Sequence, residues 1–145
     1  MTRSPICVDA SIAVVFVTTE AQSGRALALW AEWMRGQIKL VAPVLLRYEA
    51  ASALRRKVIQ GAMFVPDAQC ALAELLSLDI ELLDPPELSL RAFDLAARFN
   101  RPTTYAAHYL ALAEILEGEF WMADERLYNA IREGFPNIRW LGGRP

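Results

Sequence analysis

Three acidic residues fall where a parallel sheet would bring them to one edge. Asp9 ends the apolar run 5–9, and Asp124 ends the run 119–124. Glu49 lies about one and a half turns into a helix predicted after the second strand. The carboxyl ends of parallel strands share one edge, so these acids meet there if the first and fourth strands are neighbours. Because Mg²⁺ and Mn²⁺ prefer carboxylate oxygens and water, the three acids are candidate ligands of a hard divalent cation.

Both strand-end acids also have a purely structural interpretation. Acids that follow strands commonly cap helices: Asp9 precedes Ser11 at the start of a helical run, and Asp124 begins the last predicted helix. For either acid alone, capping or solvation is the more common explanation. Spacing by itself therefore leaves helix caps and a metal site as open alternatives.

Hydrophobic periodicity divides the chain into alternating strands and helices. Short connections between such elements are typical of βαβ units. We therefore predict an α/β fold of three layers, with a mainly parallel central sheet of four to five strands covered by helices on both faces. No linker or internal repeat interrupts the pattern, so 1–145 is predicted to be a single domain. The predicted strands are 5–9, 38–43, 79–84, 119–124 and 138–142, and the predicted helices are 10–20, 21–35, 44–59, 66–78, 85–100, 103–116 and 125–133.

Composition places the chain among compact globular proteins. Of its 145 residues, 54% are hydrophobic and 22% are charged, so disorder is not expected. The formal net charge of -2 excludes a global basic field, and any RNA contact must use a local patch. Cys7 and Cys70 are too few for a disulfide framework, which fits a reducing cytoplasm. The uncharged run 12–17 is far shorter than the roughly 20 residues of a membrane span, and the start lacks a signal-peptide pattern.

Four segments together resemble one known family. They are VDASIAVVFVTTE (8–20), APVLLRYEAASALRRKVIQG (42–61), YAAHYLALAEILEGEFWMADERL (105–127) and WLG (140–142). In order and spacing they resemble the PIN-domain nucleases, most closely the VapC-type toxins of bacterial toxin–antitoxin pairs, over nearly the whole chain. The resemblance implies a PIN-like α/β/α fold and a cluster of acids that holds Mg²⁺ or Mn²⁺ for endonucleolytic cleavage of RNA. It also implies a VapB-like antitoxin as partner, a homodimer and a cytoplasmic location.

The resemblance assigns roles residue by residue. Asp9 of VDAS is the first family acid, Glu49 of LLRYEAASAL the second and Asp124 of MADERL the last, and Ser11 supplies a hydroxyl that helps to arrange the site. The remaining acid belongs to the family word that begins Tyr-Asp-Ala, and it falls on Ala106. A methyl group cannot coordinate metal, and the cluster offers a charge of -3 instead of -4. We therefore expect weakened or absent metal binding and cleavage.

Two further residues of the third segment bear on the loss of this acid. One departs from the family pattern, and the other is not placed to replace the missing carboxylate. Met122 stands where the family usually has Thr or Ser, and its side chain cannot donate a hydrogen bond. His108 follows Ala106 by two residues, about 200° around a helix, so it should face elsewhere. The alanine is either a natural divergence or a deliberate replacement. Met122 slightly favours natural divergence, since an engineered loss of activity needs one substitution.

Basic and aromatic residues offer weaker signals. Arg47 and the run 55–57 (Arg-Arg-Lys) share the predicted helix of Glu49 and are candidates for phosphate contact, although a solvated helix face is the more common explanation.

The four tryptophans have two interpretations. Trp121 and Trp140 lie in predicted strands and are expected in the core, while Trp30 and Trp33 share a helix that can serve a dimer or antitoxin surface.

Two other functions compete with a metal-dependent endoribonuclease. A catalytically silent PIN-like protein would retain RNA or antitoxin binding without turnover. A receiver-like signalling domain would need an acceptor such as Asp84 and usually paired acids after the first strand. In this chain Asp9 is a single acid after the first strand, so the receiver-domain alternative is supported only by fold analogy.

Overall fold

The computed structural model describes residues 3–143 and contains the predicted alternation of strands and helices. Each predicted element is present, and the ends differ from the predictions by a few residues at most. The strands are β1 Ile6–Val8, β2 Leu40–Pro43, β3 Ile80–Leu83, β4 Glu119–Met122 and β5 Ile138–Trp140. The helices are α1 Ala10–Val17, α2 Ser23–Arg35, α3 Leu45–Ile59, α4 Val65–Leu76, α5 Leu88–Arg98, α6 Tyr105–Ile115 and α7 Glu125–Ile131.

All five strands form one parallel sheet in the order β3-β2-β1-β4-β5. The chain builds outward from the central β1 to β2 and β3, and then returns to β4 on the other side of β1. The predicted neighbours are thus adjacent, with Val8 paired to Trp121. Strand order reverses between β1 and β4, and in open α/β sheets the crevice beyond the carboxyl ends at such a point is where ligands bind.

The strands are almost continuously apolar because both faces of the sheet are covered. Successive residues of a strand point to opposite faces. Ile6 and Val8 of β1 belong to a cluster with α1 and α2, while Cys7 and Phe120 belong to the larger cluster that includes α3, α5 and α6. The three-layer α/β prediction is confirmed.

Two local features explain how the central elements fit together. Gly118 precedes β4, and a Cβ at this position would collide with the carbonyl oxygen of Pro5, so glycine permits the close approach of β4 to the start of β1. α1 is buried on nearly every side because it lies between the two apolar clusters. None of the helices within residues 3–143 is long and apolar enough to cross a membrane.

Candidate active site

Three adjacent elements bring the predicted acids to the carboxyl edge of the sheet. Asp9 directly follows β1, and Asp124 follows β4 after one intervening residue, Ala123. Glu49 is the fifth residue of α3, the helix that begins at the carboxyl end of β2. β1 is paired to both β2 and β4, so the three acids belong to neighbouring positions along one edge.

Asp9 is buried and caps α1. Its side chain is 8% exposed, and its Oδ1 accepts hydrogen bonds from the Ser11 hydroxyl at 2.6 Å and the Ile12 amide at 3.1 Å. The Ser11 oxygen in turn accepts a hydrogen bond from the Ala123 amide at 2.8 Å. One hydroxyl therefore joins the acid after β1 to the backbone just before Asp124.

Asp124 caps α7 in the same manner but in an exposed position. Its Oδ1 accepts hydrogen bonds from the amides of Arg126 at 3.0 Å and Leu127 at 3.3 Å. The capping interpretation is thus correct for both strand-end acids. It does not compete with cation binding, because within residues 3–143 the Oδ2 atom of neither acid accepts a hydrogen bond.

Glu49 is half-buried and is held by a tyrosine that the sequence did not single out. The Tyr109 hydroxyl donates to Glu49 Oε1 at 2.6 Å. Tyr109 is 2% exposed, and its ring stacks on Phe120 with centroids 5.9 Å apart. Its position three residues after Ala106 on α6 was the available signal, because such residues are neighbours on a helix.

Ala106 is the second residue of α6 and packs, half-buried, against the larger apolar cluster. α6 leads into the amino end of β4, so the helix begins at the carboxyl edge of the parallel sheet. Ala106 lies on the same side of α6 as Tyr109, whose hydroxyl reaches Glu49. The first turn of α6 contains no acid, and no side chain caps it at Thr104. An acid at position 106 would therefore lie on the side of α6 from which Tyr109 reaches Glu49.

The electrostatic environment favours a proton on Asp9. Burial is the largest cause, and the negative charges of Glu49 and Asp124 add to it, so the pKa of Asp9 rises from 3.8 to about 7. The hydrogen bonds from Ser11 and Ile12 act in the opposite direction because they stabilise the carboxylate. The cluster thus carries repulsion between acids that a cation would relieve.

The three acids meet one requirement of a divalent cation site and fail another. Carboxylate oxygens are suitable ligands, and each of the three acids has one oxygen that accepts no hydrogen bond in the described part of the chain. The spacing is not suitable: within residues 3–143, no three Asp, Glu, His or Cys side chains lie close enough together to hold one ion. The arrangement as it stands does not fit a three-carboxylate metal site, and the ligand set Asp9, Glu49 and Asp124 stays a prediction.

His108 and Met122 lie outside the cluster. His108 Nε2 is 3.0 Å from the Ser89 hydroxyl and Nδ1 is 2.6 Å from the Thr104 carbonyl oxygen, so the ring faces α5, as the helical spacing predicts. Met122 is fully buried in the larger apolar cluster, where it fills space.

Within residues 3–143, none of the basic residues of α3 forms an ion pair with the three acids. Lys57 forms an ion pair with Glu20, in the connection between α1 and α2. Arg47, Arg55 and Arg56 are exposed, which agrees with the solvated-face interpretation.

The tryptophans pack mainly inside the protein. Trp33 is 4% exposed and makes edge contacts with Phe16 and Trp121, so its predicted place on a partner surface is wrong. Trp30 is half-buried against Phe16. Trp121 and Trp140 pack against the apolar clusters, as expected for strand residues.

A cavity of about 900 Å³ lies at the opposite end of the sheet. Ile6 and Glu119, the first residues of β1 and β4, line it together with Trp33 of α2. This cavity is therefore remote from the carboxyl edge, where the acids are.

Comparisons with known proteins agree on the fold. Neither protein-family models nor curated protein sequences give a match. Among solved structures, PAE2754 from Pyrobaculum aerophilum is 22% identical, with a TM-score of 0.69 over 94% of this chain and 89% of that chain. VapC20 of Mycobacterium tuberculosis, a toxin that cleaves the sarcin–ricin loop, is 19% identical, with a TM-score of 0.65 over 90% of this chain and 95% of that chain. The chain has a VapC-like PIN fold, which confirms the fold expected from the sequence segments.

Proposed function

We propose that this chain is a VapC-like toxin of a toxin–antitoxin pair, from the class of metal-dependent endoribonucleases, whose cleavage is weakened or lost through Ala106. One observation carries the proposal. Asp9, Glu49 and Asp124 lie along the carboxyl edge where strand order reverses, and none of them takes part in an ion pair within residues 3–143. Negative charge that the protein orients but does not neutralise is what a cation site requires.

The roles follow from the positions of the side chains. In this proposal Asp9 and Asp124 would be the principal ligands of Mg²⁺ or Mn²⁺, since each is anchored through Oδ1 and keeps Oδ2 available. Glu49 would bind the ion or orient water, and Ser11 would hold Asp9 in place. The substrate is RNA, whose phosphodiester bond is hydrolysed.

Ala106 accounts for the weakened activity. Even when Asp9 is ionised, the three carboxylates supply a charge of only -3, and they do not converge on one point in the described part of the chain. A fourth acid beside Tyr109 would add a ligand on the side of Glu49. Without it, the cluster binds a cation less tightly and balances less positive charge.

The proposal extends to partners and location. The fold is shared with a toxin named for cleavage of an RNA loop, which supports RNA as the substrate class and a VapB-like antitoxin as the regulatory partner. Leu90 and Phe93 of α5 are 76% and 67% exposed and offer apolar surface to a second copy in a homodimer. We place the protein in the cytoplasm and not at a membrane.

Restoration of the missing acid is the decisive experiment. Ala106→Asp should raise Mn²⁺-dependent cleavage of a structured RNA at least tenfold over the unmodified chain, because one ligand of the cluster is regained. Ala106→Asn is the matched control, since the asparagine side chain has nearly the same shape as aspartate but no charge. Negligible cleavage by both the unmodified chain and Ala106→Asp would overturn the nuclease proposal.

A catalytically silent PIN-like binding protein is the second candidate. The absence of a three-donor group within residues 3–143 favours it. This candidate predicts that Asp9→Asn binds RNA or the antitoxin as tightly as the unmodified chain does. It also predicts that Ala106→Asp does not restore cleavage. Filter binding of labelled RNA beside the cleavage assay separates the two.

A further inference from the structure

Tyr109 has a buried hydroxyl that is committed to an acid. The side chain is 2% exposed, and its hydroxyl donates to Glu49 Oε1 at 2.6 Å across a sequence separation of 60 residues. Buried tyrosine hydroxyls usually find a hydrogen-bond partner. A carboxylate partner makes the bond charge-assisted, and such bonds are shorter and stronger than those between neutral groups.

The position of this hydroxyl is set by the two strands that carry the other acids. The Tyr109 ring stacks on Phe120 of β4, with an angle of 7° between the ring planes. Its backbone oxygen accepts the thiol hydrogen bond of Cys7 in β1 at 3.5 Å. Tyr109 is therefore fixed relative to β1 and β4, and through its hydroxyl it fixes Glu49 relative to the same strands.

Glu49 depends on such a restraint. It has a flexible side chain on α3, and it forms no ion pair within residues 3–143. A glutamate side chain without a partner gains rotamer freedom when it turns to solvent. Ala106, three residues before Tyr109 on the same side of α6, offers no polar atom that could replace the hydroxyl.

We propose that Tyr109 is a positioning residue whose hydroxyl holds the Glu49 carboxylate at the carboxyl edge, in line with Asp9 and Asp124. The inference rests on the proposed function for its catalytic consequence, but not for the positioning itself. Tyr109 is too buried to touch RNA, so it acts through Glu49.

The first test measures the position of Glu49 directly. Three-bond NMR couplings report the side-chain rotamers of Glu49 in the unmodified chain, in Tyr109→Phe and in Tyr128→Phe. Tyr128 is the matched control, because its ring also stacks on an aromatic ring, that of Trp140. We expect one rotamer in the unmodified chain and in Tyr128→Phe, and averaged rotamers in Tyr109→Phe. A single, unchanged Glu49 rotamer in Tyr109→Phe would overturn the proposal.

The second test measures the consequence in the Ala106→Asp background. Adding Tyr109→Phe should weaken Mn²⁺ binding, followed by electron paramagnetic resonance, by about tenfold, as is typical when a group that orients a ligand is removed. The kcat for cleavage of an RNA hairpin should fall by a similar factor, while KM should not change. When Glu49→Gln is already present, Tyr109→Phe should have no further effect.

The outcomes separate the two proposals. Equal losses from Tyr109→Phe with and without Glu49→Gln would show that Tyr109 does not act through Glu49. If Ala106→Asp neither binds Mn²⁺ nor cleaves RNA, the proposed function fails, and the NMR couplings alone decide whether Tyr109 positions Glu49.

Discussion

The two ends of the central sheet differ in whether their acidic side chains have basic partners. At the amino end, Arg139 pairs with Glu119 at 3.0 Å beside the cavity, and the Trp121 indole also donates to Glu119, at 3.2 Å. At the carboxyl end, Asp9 and Glu49 receive hydrogen bonds from neutral hydroxyl groups and an amide, with no basic partner in the described part of the chain. Charge is compensated at one end and only oriented at the other. The cavity therefore lies at the end where charge is compensated, and the proposed cation site lies at the other end.

The largest expected effect concerns the buried charge at the carboxyl end. Burial raises the pKa of Asp9 to about 7 in the folded chain, whereas the ordinary value of 3.8 applies to the unfolded chain. Between these values the folded state binds more protons, so the free energy of unfolding falls as pH rises, by up to about 4 kcal/mol. Urea denaturation of the metal-free protein from pH 4 to 8 measures the slope.

Asp9→Asn should flatten this slope, because asparagine caps a helix as well as aspartate and has no charge to bury. Glu119→Gln, at the compensated end, should leave the slope unchanged. A slope that survives Asp9→Asn would mean that the two ends do not differ in the way described.

The next effect concerns the hydroxyl that organises the carboxyl end. Ser11→Ala removes one donor from Asp9 and leaves the Ala123 amide without its partner. The expected loss is about 1 kcal/mol in the free energy of unfolding, since a partly buried donor left without a partner is costly. Chemical denaturation measures it, with Ser77→Ala as the control, because Ser77 bonds in an exposed position to the Ala73 carbonyl. Equal losses from both variants would contradict a special role for Ser11.

A divalent cation should stabilise the folded protein by binding at the carboxyl end of the sheet and not at the amino end. Should the three acids bind Mn²⁺ despite Ala106, the unmodified chain gains about 1.4 kcal/mol at a Mn²⁺ concentration about tenfold above the Kd. A thermal melt detects this gain as an upward shift of several degrees in Tm. The shift should vanish in Asp9→Asn and persist in Glu119→Gln. A shift that persists in Asp9→Asn would place the ion away from the carboxyl edge.

The smallest effect belongs to the amino end. Glu119→Gln breaks the pair with Arg139, in which both side chains are around 40% exposed, so the stability should change by less than about 1 kcal/mol. Raising the salt concentration should reduce the difference further. A loss of several kcal/mol, measured in urea, would show that this ion pair is more than a surface contact.

The edge position of the acids was accessible from the sequence, and their fine placement was not. Apolar runs that stop at Asp9 and Asp124 predict strand ends, because buried parallel strands are continuously apolar. The exact end of β4, two residues before Asp124, depends on its pairing with β5 and could not be predicted locally. The assignment of Ala106 to the position of a family acid rests on the resemblance of sequence segments to the PIN-domain family, because an alanine by itself does not indicate a lost ligand.

Long-range packing accounts for what the sequence did not indicate. A tyrosine in the apolar helix α6 has the pattern of a core residue, and Tyr109 is one. Which group its hydroxyl reaches depends on where α6 lies relative to α3, which no local pattern specifies. The buried position of Trp33 has a related cause. α2 packs on Phe16 of α1, and this long-range contact buries a side chain that the local pattern leaves free to be exposed.

The bridge from Asp9 through Ser11 to Ala123 also has a consequence for synthesis of the chain. It joins the first strand to a backbone amide 112 residues beyond Ser11, and Asp124 comes later still. A nascent chain emerging from the ribosome carries Asp9 and Glu49 long before β4 can take its place beside β1. The acidic edge therefore assembles only after β4 has been synthesised, and an interrupted product that stops before β4 contains no complete cluster.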